Sequence, residues 1–305
     1  MQIGKRIVKN VLRRAGYTVN KIGSNNSEDR ALRDTTVRIG KFPLLINGDH
    51  HLPHALQRYP GYALNIARIA KHLTACYPDL CVIDIGANVG DTVALIRSVV
   101  DIPIVCIEGD ETYYDYLVKN VVQFHNVTTH KYFLGDIEQT LAGDVVSKLG
   151  TLYITTEGRK TIQLVTLDRF LQSTQTSGRL KLLKIDTDGY DAKIIRGGLQ
   201  YVRECKPVIV FEYDRRTQEN ARENGLDILG TLQSCGYDLI LFYDNVGRYV
   251  CSSNVRNVGF LNEMHAYISK RKGLITYYDI CVFHDSDNLA GRELIASEVL
   301  RNEAG

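Results

Sequence analysis

Val82-Ile-Asp84-Ile-Gly86-Ala-Asn88-Val-Gly90-Asp91-Thr92 is a short apolar run that ends around an acid, turns through closely spaced glycines and continues into Val93-Ala-Leu-Ile96. An apolar run followed by a turn signal reads as a buried strand, and the segment after it has the composition of a helix start. Glycine is needed where the backbone bends with φ positive, or where a ligand must approach the main chain without meeting a Cβ. The turn is therefore a candidate ligand seat at the carboxyl end of a parallel strand, where open α/β sheets bind their ligands.

The departures from a dinucleotide fingerprint decide which ligand fits. A G-x-G-x-x-G loop starting at Gly86 would want glycines at positions 88 and 91, where the chain has Asn88 and Asp91. Asp84 and Asp91 put negative charge where a phosphate would have to meet the helix N-terminus. A cationic ligand is the better match, and S-adenosylmethionine, with a sulfonium, an α-ammonium and no phosphate, is such a ligand. A second apolar run, Ile102-Pro-Ile-Val-Cys-Ile107, ends in Glu108, about twenty residues past the turn, the offset at which an acid meets ribose hydroxyls. Taken alone, Glu108 could equally be a strand-end carboxylate facing water; paired with the glycine turn it is the ribose candidate.

Four blocks then resemble the FkbM-type methyltransferase family: Val82 to Asp91, Val165-Thr-Leu-Asp168, Leu183-Lys-Ile-Asp-Thr-Asp-Gly189 with Ile195-Arg-Gly197, and Pro207-Val-Ile-Val-Phe-Glu212. Their order over roughly residues 76 to 215 is more specific than a single glycine loop. The resemblance implies an S-adenosylmethionine-dependent O-methyltransferase acting on a sugar, glycan or glycan-like natural product. It implies a doubly wound, seven-stranded, methyltransferase-type (Rossmann-like) α/β sheet with an antiparallel last strand, an N-terminal extension and inserted hairpins. It assigns Asp84, Gly86, Ala87, Asn88, Gly90 and Glu108 to the cofactor. Gly135-Asp136 joins them if its acid reaches the adenine amino group; the competing reading is an ordinary Gly-Asp turn. One departure is that the family pattern has Glu where this chain has Asp188.

The expected domains are an extension over 1–75, a methyltransferase domain over 76–286 and a tail helix over 287–305. At 305 residues, 44% hydrophobic and 24% charged, the chain can bury a full core. A net charge of +2 argues against nucleic acid as a partner. The seven cysteines form no C-x-x-C pair, and Cys81, Cys106 and Cys281 lie in strand-like runs, as buried thiols of a reducing, cytoplasmic compartment do. No apolar run reaches the length of about 18 that spans a bilayer.

Residues 1–21 carry Lys5, Arg6, Lys9, Arg13, Arg14 and Lys21, no acid, and apolar residues at helical spacing. Such a basic amphipathic helix either packs on its own domain or a second subunit, giving a homo-oligomer, or touches an anionic inner membrane face peripherally. Residues 23–29 read as a linker and 37–47 as a strand. His50, His51 and His54 lack a Cys or acidic partner at ligand spacing, so they read as loop histidines near the site mouth, with Pro53 enforcing the loop. Helices are expected over 62–75, 112–124 and 227–233, a third strand over 127–134, an inserted hairpin turning at Gly158, a hairpin at Asp244-Asn-Val-Gly247, a helix over 261–270, a last strand over 278–284 and a short polar tail helix over 292–301. Asp168 reads as structural, beside a helix cap at Thr166.

The strand ending at Ile185 delivers Asp186 and Asp188 to one turn, and the next delivers Glu212. Asp191 reads as first-turn helix charge, and Glu212 has a surface ion pair with Arg215 or Arg216 as its alternative. A hydroxyl acceptor needs its proton taken or weakened. Asp186, Asp188 and Glu212 are therefore the catalytic candidates, as a base or as ligands of a Mg²⁺ ion, a choice the spacing leaves open. A nicotinamide oxidoreductase and a non-catalytic binding module remain the rival readings.

Overall fold

A computed structural model of the chain describes residues 34–148, 151–174, 178–187, 189–213, 225–269 and 275–303. The expectations for residues 1–21, the linker, Asp188 and the Arg215–Arg216 partner of Glu212 lie outside them. The described residues belong to one compact unit.

The segment expected as a single strand over 37–47 is a hairpin, β1 (Thr35–Ile39) and β2 (Phe42–Ile46). Gly40 turns it at φ +55°, and a Cβ there would collide with the Ser98 side chain. Helices α1 (Leu52–Arg58) and α2 (Leu64–Cys76) follow. Pro53 does not enforce a loop: it occupies the first turn of α1, where its missing N–H would have had no intrahelical partner anyway.

The deciding stretch folds as read. β3 (Leu80–Ile85) is buried at every position and passes through the glycine turn into α3 (Asp91–Arg97). β4 (Ile104–Glu108), α4 (Glu111–Val121, capped by Asp110) and β5 (Val127–Lys131) continue the alternation. The expected third strand breaks at Tyr132, and β6 (Phe133–Gly135) belongs to a separate three-stranded sheet with β7 (Gln139–Lys148) and β8 (Thr151–Thr166), in the order β6-β8-β7. Gly158 does not turn a hairpin. It lies within β8, where β7 shifts register between Gly143 and Asp144, and the hairpin joins β7 to β8 instead.

Thr166 accepts from Arg169 N and caps α5 (Leu167–Ser173). β9 (Arg179–Ile185), α6 (Asp191–Gly197), α7 (Leu199–Cys205), β10 (Val208–Tyr213), α8 (Gly225–Ser234), β11 (Tyr237–Asp244), β12 (Tyr249–Asn254), α9 (Val258–Ser269), β13 (Tyr278–His284) and α10 (Asn288–Glu303) complete the chain. Asp168 is structural, as expected: its two oxygens accept from Gln200 N at 3.0 Å and Tyr201 N at 2.9 Å, closing the open amides of α7. Asp168→Ala is expected to lower stability by about 1–2 kcal/mol, the usual worth of a helix cap; an unchanged urea midpoint would show that water replaces the carboxylate.

The main sheet runs β12-β11-β13-β10-β9-β3-β4-β5. β5, β4, β3, β9 and β10 are mutually parallel, and β13 is antiparallel to both β10 and β11. The seven expected strands and the antiparallel last one are present, and β12 adds an eighth at the edge. Alternate side chains feed two cores. Ile83, Ile85, Ile107, Leu183 and Phe211 face one, shared with α5 to α9, while Val82, Cys106, Leu182, Val210 and Cys281 face the other, shared with α2, α3, α4 and α10. Cys81, Cys106 and Cys281 are buried and in no disulfide. The tail helix is longer than the sequence suggested and is no loose polar appendage: Arg68 of α2 pairs with its buried Glu298 at 2.7 Å, and Ala290, Gly291 and Leu294 are buried. Among the described residues no helix is long and apolar enough to cross a membrane.

Candidate active site

The strand order reverses at β3 and β9, because the chain leaves β3 toward β4 and β5 and returns to the other side at β9. Such a switch point opens a crevice at the carboxyl ends of the strands. Gly86 (φ +76°), Asn88 (φ +48°) and Gly90 (φ +87°) put three left-handed residues into the turn there. Gly86 is indispensable, since a Cβ would run into the carbonyl oxygen of Asp186 and lie 2.8 Å from its carbon.

Two groups hold the turn. Gly86 N and Ala87 N donate to Ile107 O, and Glu108 accepts from Asn88 N at 2.9 Å and from Asp110 N at 2.8 Å. From the other side His50 Nδ1 accepts from Leu52 N, so Nε2 carries the proton and donates to Asn88 Oδ1 at 3.1 Å. Burial pushes the His50 pKa down to about 4 and keeps the ring neutral.

A partly open cleft lies against this turn. Gly86, Asn88, Glu108 and Asp186 line it, together with Thr187, Tyr190 and an apolar wall. Four of the residues assigned from sequence therefore share one cavity. Ala87 is buried behind the turn, and Gly90 starts α3. Gly135 and Asp136 are not in the lining; Gly135 backs onto Gly197, where a Cβ would collide with its carbonyl, and burial and then the charge of Asp136 raise the hydroxyl pKa of Tyr190.

Asp84 does not face the cleft. It is fully buried and pairs with Lys184 Nζ at 3.1 Å, while Lys184 also reaches Asp186 at 3.3 Å. The in-register pairing of Asp84 with Lys184 across β3 and β9 produces this contact. Burial works against the charge on Lys184, but Asp84, Asp186 and Asp91 outweigh it and hold the ammonium protonated. The negative charge that the sequence offered to a ligand is thus partly answered from within.

A second group forms beside the cleft. The Lys184↔Val210 register places Asp186 and Glu212, each two residues further on, at neighbouring strand ends, and Glu212 lies opposite Asp279 of β13. Asn65, at the start of α2, donates to Asp279 Oδ2 at 2.9 Å. Loss of hydration and then the charge of Asp186 push the Asp279 pKa up to about 7. Tyr62 and Tyr277 feel the same carboxylates, and burial and those charges raise their hydroxyl pKa values. Asp191 is more than first-turn helix charge: its buried carboxylate accepts from Thr187 Oγ1 at 2.8 Å and from Glu212 N at 3.1 Å, bracing the loop after β9 against β10.

The sequence reading missed Asp279, Asn65, Tyr62 and Lys184. Lys184 did leave a local sign: like Lys181, it is a charge set among the apolar positions of a parallel strand, and such a charge demands a partner. Among the described residues, which leave out Asp188, the group with three ligand atoms near enough for a metal lies elsewhere.

The sequence profile described as Methyltransferase FkbM domain matches residues 84–239, just over half of the chain. The chain belongs to that family. The match begins at Asp84 and ends within β11, so it takes in the glycine turn, Glu108, Asp186 and Glu212. No curated protein matches the chain. Several solved methyltransferases are similar to the chain at low identity. A methyltransferase FkbM from Methylobacillus flagellatus KT is 16% identical over 52% of this chain and 39% of its own, with a TM-score of 0.37. M. jannaschii TYW2, in complex with AdoMet, is 13% identical over 88% of this chain and 90% of its own, with a TM-score of 0.39. A TehB-like SAM-dependent methyltransferase from Corynebacterium glutamicum ATCC 13032 Kitasato is 11% identical over 72% and 88%, with a TM-score of 0.36. The FkbM match thus spans about two fifths of that solved chain.

Proposed function

We propose that this FkbM-family chain transfers a methyl group from S-adenosylmethionine to a hydroxyl of a sugar or similar polyol. The observation that carries the reading is Glu108: a buried strand-end carboxylate, tied to the glycine turn and lining the cleft, as a ribose-binding acid must be. The cleft fits the donor, because Gly86 leaves the backbone bare on that wall and Asn88 and Glu108 offer polar groups beside apolar surface. Bound there, S-adenosylmethionine supplies a methyl group on a positively charged sulfur.

This chain's own residues supply position and a proton acceptor. Asp186, Glu212 and Asp279 stand at adjoining strand ends, where an acceptor hydroxyl can donate to one of them. Asp279 is already poised near neutral pH, and Asn65 fixes its orientation. Carboxylates, an amide and the Tyr62 and Tyr277 hydroxyls are the groups that hydrogen-bond a polyol. The acids can act as base and positioning groups or hold a divalent ion that acidifies the hydroxyl, and full activity in EDTA would exclude the ion.

Isothermal calorimetry tests the donor. S-adenosylhomocysteine is expected to bind and NAD not to; binding of NAD alone would replace the reading with an oxidoreductase, and binding of neither would leave a scaffold. Its pH dependence reports Glu108, whose pKa burial lifts from 4.5 to about 7 in the ligand-free protein. Ribose hydroxyls donate best to the ionised form. The dissociation constant is therefore expected to rise about tenfold per pH unit below 7 and to level off above it, whereas Glu108→Gln removes that dependence. The linked effect on folding has the opposite sense. Unfolded Glu108 ionises near 4.5 and the folded residue near 7, so this contribution to stability is full below 4.5 and is lost as pH rises through 7.

A further inference from the structure

Far from the cleft, at the amino-terminal edge of the sheet, three side chains of different chemistry converge. His72 and Cys76 lie one turn apart on α2, and Glu293 faces them from α10; one ligand atom of each lies within 4.8 Å of the others. Cys76 precedes β3, whereas the glycine turn follows it, so the two places are separated by the length of that strand, about 20 Å at 3.3 Å per residue.

From this geometry we propose that His72, Cys76 and Glu293 form a zinc site that staples α10 to α2, with water completing the tetrahedron. The spacing suits it. Ligand atoms about 2.0–2.3 Å from zinc stand roughly 3.3–3.7 Å apart in a tetrahedron, so the 4.8 Å limit closes with small side-chain rotations. The histidine is also prepared for the task. Its Nε2 lies 2.7 Å from the Ala290 carbonyl on α10 and donates to it, which fixes the ring and leaves the Nδ1 lone pair to ligate. Metal-binding histidines are oriented in this way, by a second hydrogen bond from the other ring nitrogen.

The chemistry of the donors selects the ion. A thiolate with an imidazole favours zinc over magnesium or calcium. Cys76 is half-buried and in no disulfide. When the ion binds, the thiol proton leaves to solvent as the sulfur–metal bond forms. α10 has little else to fix its middle to α2 beyond the Arg68–Glu298 pair and the His72–Ala290 bond among its described polar contacts. A metal bridge there stabilises the packing of the last helix and does not enter the methyl-transfer site.

The test uses the full chain, reduced and stripped of metal, titrated with Co²⁺ and then Zn²⁺. One equivalent of Co²⁺ is expected to give a thiolate-to-cobalt charge-transfer band and strong tetrahedral visible bands, both erased by Zn²⁺. Cys76→Ser is expected to remove the charge-transfer band, and His72→Ala and Glu293→Gln each to weaken Co²⁺ binding at least about tenfold. Saturating Zn²⁺ is expected to raise the melting temperature of the native chain by several degrees and to leave Cys76→Ser unmoved. Absence of a saturable band, its persistence in Cys76→Ser, or undiminished affinity in Glu293→Gln would each overturn the site. S-adenosylhomocysteine binding is unaffected by these variants, so the result stands apart from the methyltransferase reading.

Discussion

Lys184→Met is expected to lower the unfolding free energy by about 3–5 kcal/mol, the usual consequence of removing one partner from a buried ion pair. Methionine keeps the volume and the apolar stem, so the loss reports charge and not a cavity. Asp84 is fully buried, its Oδ2 has no hydrogen-bond partner among the described residues, and its Oδ1 depends on Lys184. Without the ammonium, a carboxylate is stranded in the middle of a parallel sheet and keeps its proton to much higher pH. The sign of the pH effect follows. The deficit is largest where unfolded Asp84 would be ionised, well above its ordinary 3.8, and shrinks as pH falls through that value and both states become protonated. The double variant Asp84→Asn with Lys184→Met is expected to recover most of the loss, because both charges are then gone. Urea denaturation at pH 5 and pH 8 measures all three proteins. A loss under about 1 kcal/mol for the single variant, the scale of an exposed pair, would show that water reaches Asp84.

Gly86→Ala is expected to weaken S-adenosylhomocysteine binding at least about 100-fold, equivalent to roughly 2.7 kcal/mol. Two independent obstacles act at this position. Alanine resists φ +76°, and its methyl group would occupy the space of the Asp186 carbonyl. That neighbour is backbone in the ladder between β3 and β9, where Asp186 N donates to Ile85 O at 3.0 Å. It cannot swing aside as a flexible side chain would. Relief requires the two strand ends to part, and they form the floor of the cleft. Gly61→Ala is the control, since a Cβ there meets nothing within 4 Å, and it is expected to change neither binding nor melting temperature. Binding by Gly86→Ala within threefold of the native protein would mean that the cleft against this turn is not the donor seat.

The two variants also separate two kinds of information. The positive-φ turn at Gly86 and Gly90 was legible because backbone sterics are local: three to five residues fix the bend whatever surrounds them. Glu108 was legible because the strand–turn–helix unit has a nearly fixed length, which brings the end of β4 beside the end of β3. Gly158 was misread for the complementary reason. A glycine between alternating segments marks a turn or an irregular strand equally well, and pairing with β7, not local composition, selected the strand. Pro53 was misread because proline breaks a helix only after its first turn.

The doubly wound sheet was implied by the family resemblance; by itself, the amino-acid sequence determined the alternation of strands and helices, the glycine turn, the acid that closes the next strand and the delivery of Asp186 and Glu212 to strand ends. Those features follow from apolar periodicity and from φ preferences, which act within a few residues. Tertiary structure alone decided what the acids do. Asp84 meets Lys184 100 positions away and turns from the cleft, and Asp279 meets Asn65 across 214 positions and stands beside Glu212 at the strand ends. The cause is strand register: a shift of one residue exchanges the two faces of a sheet, and register is set by the packing of the whole domain.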